Sequence, residues 1–155
     1  MNGVSKLTVT EQISLVFFER LPADGGNMSR LLNTLAKEGV NIDMISQSAP
    51  CAHHVSLSFT IADSDLVKTL RICNELSREH DDGLKPMVSS SNCKIQLYGE
   101  EMVAAPGVAA AALAAVVGSK SEIQLITTSE VDISFLVSRI DVEDALGALQ
   151  RTFAL

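Results

Sequence analysis

A repeat constrains this chain more than any other feature. The stretch Glu38–Ser48, E-G-V-N-I-D-M-I-S-Q-S, passes from a glycine straight into an apolar segment. A weaker copy lies about eighty residues later, at Ser121–Glu130, S-E-I-Q-L-I-T-T-S-E. Each copy follows a glycine loop and an apolar helical stretch. Each precedes a segment of clean alternation, Val55–Ile61 in one case and Val131–Val137 in the other. The chain therefore reads as two versions of one unit. At 155 residues in all, neither unit buries much core alone, so the units should pack on each other or on a partner.

Taken in order, Gly3–Thr8 predicts a short strand with no neighbour in sequence, and Ile13–Phe18 a better one, rich in β-branched and aromatic residues. Leu21–Asn27, L-P-A-D-G-G-N, is a turn by composition. A helix should follow, because Met28, Leu31, Leu32, Leu35 and Ala36 form one stripe. Gly39 stands where a left-handed C-terminal cap is expected. Val40–Ser46 predicts a strand, Ser48–His54 a loop, and Val55–Ile61 a strand with one buried face. Asp63 is the expected N-cap of a helix carrying Leu66, Val67, Leu70, Cys73 and Leu76 inward. His80-Asp81-Asp82-Gly83 reads as a solvated turn, and Leu84–Val88 as a returning strand.

The second unit opens with a strand at Lys94–Gly99 and a loop at Glu100–Gly107. A helix over Val108–Val117 follows, with Pro106 near its start. Strands at Ile123–Thr127 and Val131–Val137 come next. Asp141 is the expected cap of a last helix, with Asp144 completing a weak capping box. One unit thus has four strands and the other three, while Gly3–Thr8 is left over. A three-stranded remainder would leave an unpaired edge. The N-terminal strand is therefore expected to cross to the second unit. The expected units are residues 12–91, and residues 92–155 plus 1–9.

The net charge of −7 and the pI near 4.8 leave no basic patch to neutralise phosphates, which argues against nucleic acid and anionic membrane as partners. Cys51, Cys73 and Cys93 are odd in number with no CxxC, the pattern of a reduced, cytoplasmic protein. The start of the chain lacks a signal-peptide shape. The most apolar segment, Val103–Gly118, is shorter than the ~20 residues a bilayer needs. Val108–Val117, V-A-A-A-A-L-A-A-V-V, has no polar face at all. It reads either as a thin Ala-rich core helix or as a helix at a subunit or unit–unit interface.

Three segments carry a family resemblance: G-V-N-I-D-M-I-S-Q-S (Gly39–Ser48), G-E-E-M-x-x-x-P-G-V-A-A (Gly99–Ala110) and I-T-T-S-E-V-D-I-S-F-L-V (Ile126–Val137). In order, spacing and identity they resemble the tandem ACT domains of aspartate kinases, over nearly the whole chain. The resemblance implies an α+β fold of two ferredoxin-like βαββαβ units, antiparallel sheets with helices on one face. It implies a regulatory module that binds lysine, threonine or both in feedback control of aspartate-family amino-acid biosynthesis. It also implies a homodimer through ACT units, and a kinase catalytic domain or subunit as partner. No cofactor, no metal and no catalysis by this polypeptide are expected.

Carried over residue by residue, the effector site would take Asp24, Gly25, Gly26, Asn27 and Met28 from the first loop. It would take Asn41, Ile42, Asp43 and Gln47 from the repeated stretch, and Ile123, Gln124, Ser129 and Glu130 from a partner unit. The chemistry suits a zwitterion. A ligand carboxylate fits the N–H groups of a glycine loop opening a helix, as at Gly25–Met28. Its ammonium needs an acceptor such as Asp24 or Asp43, and a lysine side chain a further acid such as Glu130. Gln47 would read a polar group.

The sequence departs from the family at two places. The usual D-x-P-G of the first loop is A-D-G-G here, and Glu122–Ile123 replaces the usual Asn–Ile. An acid there disfavours a nearby ligand carboxylate. Plainer readings stand beside the functional ones. Asp24–Asn27 works equally as a tight turn, Asp43 as an idle surface residue, and Cys51, His53 and His54 as incidental in a surface loop. The G-G-N loop matches no P-loop or dinucleotide fingerprint. A free-standing tandem ACT protein, or a structural dimerisation module that has lost its ligand, remains the alternative.

Overall fold

The computed structural model describes residues 3–79 and 85–155. The turn expected at His80–Gly83 and the first residue of the strand expected at Leu84–Val88 lie outside them. The chain divides into two compact units: an insert, Gln12–Ser90, and a host made of Met1–Glu11 with Ser91–Leu155. Two strands run through both. β1 spans Lys6–Pro22, and β4 spans Met87–Tyr98. The sequence pattern predicts four short strands where these two long ones stand. Each carries one non-glycine residue in the left-handed region, Gln12 and Ser91, both at φ 58°. The boundary between units falls at those residues, so a single left-handed residue stands where a break between strands is expected.

In the insert, β2 (Ile45–Gln47) and β3 (His54–Ala62) join β1 in antiparallel order β2-β3-β1. Helices α1 (Gly26–Lys37) and α2 (Leu66–Glu79) pack beside each other. The core is built from Val16 and Phe18 of β1, alternate residues Val55–Ile61 of β3, Leu31 and Leu35 of α1, and Ile72, Cys73 and Leu76 of α2. The Phe18 and Phe59 rings stack at 6.4 Å. The cap predicted at Gly39 is present. Its φ is 76°, its N–H donates to Ala36 O, and Val40 N–H donates to Leu35 O. These two bonds are the Schellman pair, and Val40 buries its side chain beside Leu35 as that motif favours.

The strand predicted over Val40–Ser46 is shortened to Ile45–Gln47. The reason is where its amides go. Val40 N–H completes the helix cap, and Met44 N–H donates to the Thr60 side chain, Oγ1, rather than to a backbone carbonyl. The alternation survives: Val40 and Met44 are buried and Ile42 half-buried, while Asn41 and Asp43 are exposed. Asp63 is not the N-cap. A 3-10 turn, Asp63–Asp65, precedes α2, and the Asp63 carboxylate accepts from buried Ser14 Oγ at 2.6 Å.

In the host, β5 (Ile123–Thr128) and β6 (Asp132–Ser138) complete the order β1-β4-β6-β5. The N-terminal segment belongs here. Val4 is buried in the host core, and Ser5 N–H donates to Tyr98 O at 2.8 Å. Gly3 and Gly99 touch backbone to backbone: a Cβ on Gly99 would lie 1.8 Å from Gly3 O. Helix α3 (Val108–Gly118) packs on α4 (Val142–Phe153). Its buried stripe is Val108, Ala112 and Val116, whereas Ala109, Ala110, Leu113, Ala114 and Val117 are exposed. Asp141 does precede α4, but its carboxylate accepts from Glu122 N–H at 3.1 Å and makes no cap bond. Among the described residues no helix is long and apolar enough to cross a membrane.

Candidate functional site

The first loop opens α1. Ala23 N–H donates to His53 O at 2.9 Å, and Asp24 Oδ1 accepts from Gly26 N–H at 3.1 Å. Gly25 holds φ 76°, with nothing within 4 Å of a Cβ placed there, so conformation rather than space demands glycine. The first intrahelical bond is Ser29 N–H to Gly25 O. The amides of Gly26, Asn27 and Met28 therefore face outward from the helix start, and Asp24 takes one of them. No acidic side chain lies in the first turn of α1, so the positive end of the helix keeps its field apart from Asp24.

The repeated stretch lies elsewhere on the same unit. In the ladder, Gln47 faces Leu57, and Pro22 faces His54 at the loop end. Asp43 N–H bonds Thr60 O, six residues along β3 from His54. At about 3.3 Å per residue, that sets Asp43 roughly 20 Å from the glycine loop. Helix α1 spans a similar length between Asp24–Met28 at its start and Asn41 beyond its end. One unit thus holds the two halves of the expected site at opposite ends, with Gln47 between. A molecule the size of an amino acid cannot touch both.

The remaining candidates lie in the host. Ile123 and Gln124 are half-buried on β5, where the ladder shifts register between Ile123 and Leu125. Ser129 closes the β5–β6 turn. Its Oγ donates to Asp132 Oδ2 at 2.6 Å and accepts from the N–H groups of Val131 and Asp132. Its hydroxyl is committed to that turn, while Glu130 is exposed at the tip.

Two concavities escaped the sequence reading. One, of about 380 Å³, lies in the host between Gly3–Ser5 and Tyr98–Glu101. Tyr98 OH donates to Glu100 Oε1 at 3.2 Å, and that carboxylate, by hydrogen bond and charge, raises the Tyr98 pKa. The cavity exists because the N-terminal segment crosses there, and the paired glycines were its only trace in sequence. The other, of about 340 Å³, lies in the insert beside the Cys51–His54 hairpin. Among the described residues no three His, Cys, Asp or Glu cluster as metal ligands. Cys51 is exposed, Cys93 is buried, and burial pushes the Cys73 thiol up to about 11.

The comparison with known sequences decides the family, since the ACT domain model matches residues 22–76 and again 95–153. The chain belongs to the ACT domain family. Its tandem ACT region is similar to the aspartokinase of Bacillus sp. (strain MGA3), 29% identical over 94% of this chain and 35% of that protein. The chain spans about a third of the length of the curated aspartokinases it matches. In structure it resembles the aspartate kinase of Synechocystis, with TM-score 0.91 and 25% identity, covering 99% of this chain and 27% of that one. It also resembles in fold the ligand-free regulatory subunit of aspartate kinase from Thermus thermophilus, with TM-score 0.88 and 23% identity, covering 98% and 99%.

Proposed function

We propose that this chain is the amino-acid-sensing regulatory region of an aspartate kinase, and that it binds lysine or threonine. The observation that carries the reading is the ACT glycine loop: outward amides at Asn27 and Met28, at a helix start with no acid in its first turn. A ligand carboxylate placed there gains charge-assisted bonds from N–H groups that otherwise face water. Asp24 and Asp43 are the acceptors for its ammonium, Gln47 for a polar group, and Glu130 for the far amine of lysine.

The roughly 20 Å between the glycine loop and Asn41–Asp43 has a consequence for assembly. A single amino acid bridges both halves only if a second copy of the chain brings its Asn41–Asp43 to the loop of the first. Ligand binding would then stabilise a homodimer. Regulation follows by linkage: an effector that binds one arrangement of kinase and regulatory units more tightly shifts the enzyme towards it, by no more than the ratio of its two affinities. Catalysis would come from a kinase region attached to this one or from a separate subunit.

A second reading is a dimerisation module without a ligand. The commitment of the Ser129 hydroxyl to its turn favours it, as does Glu122 where the family usually has asparagine. Calorimetric titration with lysine, threonine and the other common amino acids separates the two. Saturable heat with lysine or threonine supports sensing. Silence across the set at millimolar ligand supports the module.

A further inference from the structure

The second concavity of the insert is lined by Glu19, Arg20, Ser48, Cys51, His54 and Ser56, among others. Its floor is a β-bulge. Phe18 faces Leu57, but Leu21 faces Val55, so three steps on β1 match two on β3. An unbroken strand would turn one of two consecutive residues inward. Here Glu19 and Arg20 are both exposed, between buried Phe18 and Leu21. The bulge also leaves Glu19 O open, and it accepts from Ser56 Oγ at 3.0 Å.

The opposite wall is the hairpin tip. Cys51 and His54 exchange both backbone bonds, at 2.8 and 2.9 Å. Ala52 and His53 between them sit at φ 47° and 65°, a left-handed pair that costs energy without glycine or asparagine. The tip holds His54 Nδ1 2.8 Å from Ala52 O and 3.3 Å from Arg20 Nη2. A carbonyl only accepts and a guanidinium only donates, so Nδ1 serves one of the two according to its tautomer. In either tautomer the Arg20 guanidinium keeps most of its N–H donors for another partner. Among the described residues, neither Arg20 nor Glu19 enters an ion pair.

An acid and a base set side by side, both exposed and outside those ion pairs, complement a zwitterion. The volume of about 340 Å³ lies within the range of small-molecule sites. We propose that this cavity binds a free α-amino acid, with Arg20 holding the carboxylate in its bidentate fork and Glu19 accepting from the ammonium. The site is separate from the start of α1 and does not rest on the reading of the glycine loop. It is tied to that loop by one bond, Ala23 N–H to His53 O, through which occupancy of one can bias the other.

Amide NMR of the whole chain, titrated with glycine, L-lysine, L-threonine and L-aspartate at millimolar concentration, tests it. Saturable shifts are expected at Arg20 and Cys51–Ser56 with at least one of the four. Arg20→Gln should weaken that binding at least about tenfold, a loss expected for one charge-assisted pair. Arg20→Lys, which keeps the charge and loses the fork, should fall between. Absence of saturable shifts at Cys51–Ser56, or equal affinity in Arg20→Gln, overturns the proposal. Shifts confined to Gly25–Met28 overturn it while leaving the glycine-loop reading intact. Shifts confined to Cys51–Ser56 do the reverse.

Discussion

Replacing Gly99 by alanine probes the step on which the host unit's completion depends, the crossing of the N-terminal segment. Gly99 has φ −174°, an extended conformation any residue adopts, so the substitution strains nothing in its own backbone. The obstacle is space. A Cβ would stand 1.8 Å from Gly3 O, 2.7 Å from Gly3 C and 3.0 Å from Val4 Cα. These are backbone atoms and cannot rotate away. Bringing the first contact out to 3.0 Å moves the segment by at least 3.0 − 1.8 = 1.2 Å. That displacement breaks the Ser5–Tyr98 bond, worth about 1 kcal/mol. It also lifts much of the Val4 side chain from the core, at about 1.5 kcal/mol for full exposure. Gly99→Ala should therefore lose about 2–3 kcal/mol in urea unfolding at unchanged slope, with faster hydrogen exchange at the Ser5 amide. Gly118→Ala is the control. It meets nothing within 4 Å at a helix end, and should be neutral or stabilise by up to about 1 kcal/mol. A Gly99→Ala protein within about 0.5 kcal/mol of the parent, with Ser5 equally protected, would refute this account of the crossing.

Thr60→Val, nearly isosteric, leaves the buried Met44 N–H without its acceptor. It should cost about 1–3 kcal/mol in the same assay, and it should loosen Asn41–Asp43, read as lower affinity for any ligand that uses them. Tyr98 is the only tyrosine in a chain without tryptophan, so absorbance follows it alone. Its midpoint should lie above the ordinary value near 10, and Glu100→Gln should return it. The bond to Glu100 needs the phenol proton, so its contribution to stability is whole below the unfolded pKa and is lost as pH rises through the folded one. An unmoved midpoint in Glu100→Gln would reject that cause. With a disulfide reagent near pH 8, exposed Cys51 should react at once. Cys73, with its thiol pushed up to about 11 by burial, and buried Cys93 should react only on unfolding.

The elements with local signals were legible in sequence. The α1 stripe, the Gly39 cap and the alternation of Val55–Ile61 each depend on neighbours a few residues apart. The count of strands was enough to send the N-terminal segment to the second unit. What escaped depends on distant partners. Asp63 and Asp141 have the composition of caps, but their carboxylates serve Ser14 and the Glu122 amide instead, each far off in sequence. β2 is short because Thr60, on another strand, takes the Met44 amide. The long reach of β1 through Gln12 was hidden because a single left-handed residue has no composition signal. For the candidate site, the glycine turn and helix start at Gly25–Met28 were readable, whereas the distance to Asn41–Asp43 needed the ladder register. The bulge at Glu19–Arg20 needed it too.

An effector that binds the folded chain stabilises it, so thermal unfolding against ligand concentration reads that binding. If lysine or threonine binds the native chain alone, the transition should climb with the logarithm of its concentration, reaching about 1.4 kcal/mol of added stability at ten times Kd. A transition that stays flat with every amino acid through the millimolar range would mean that the folded chain senses none of them.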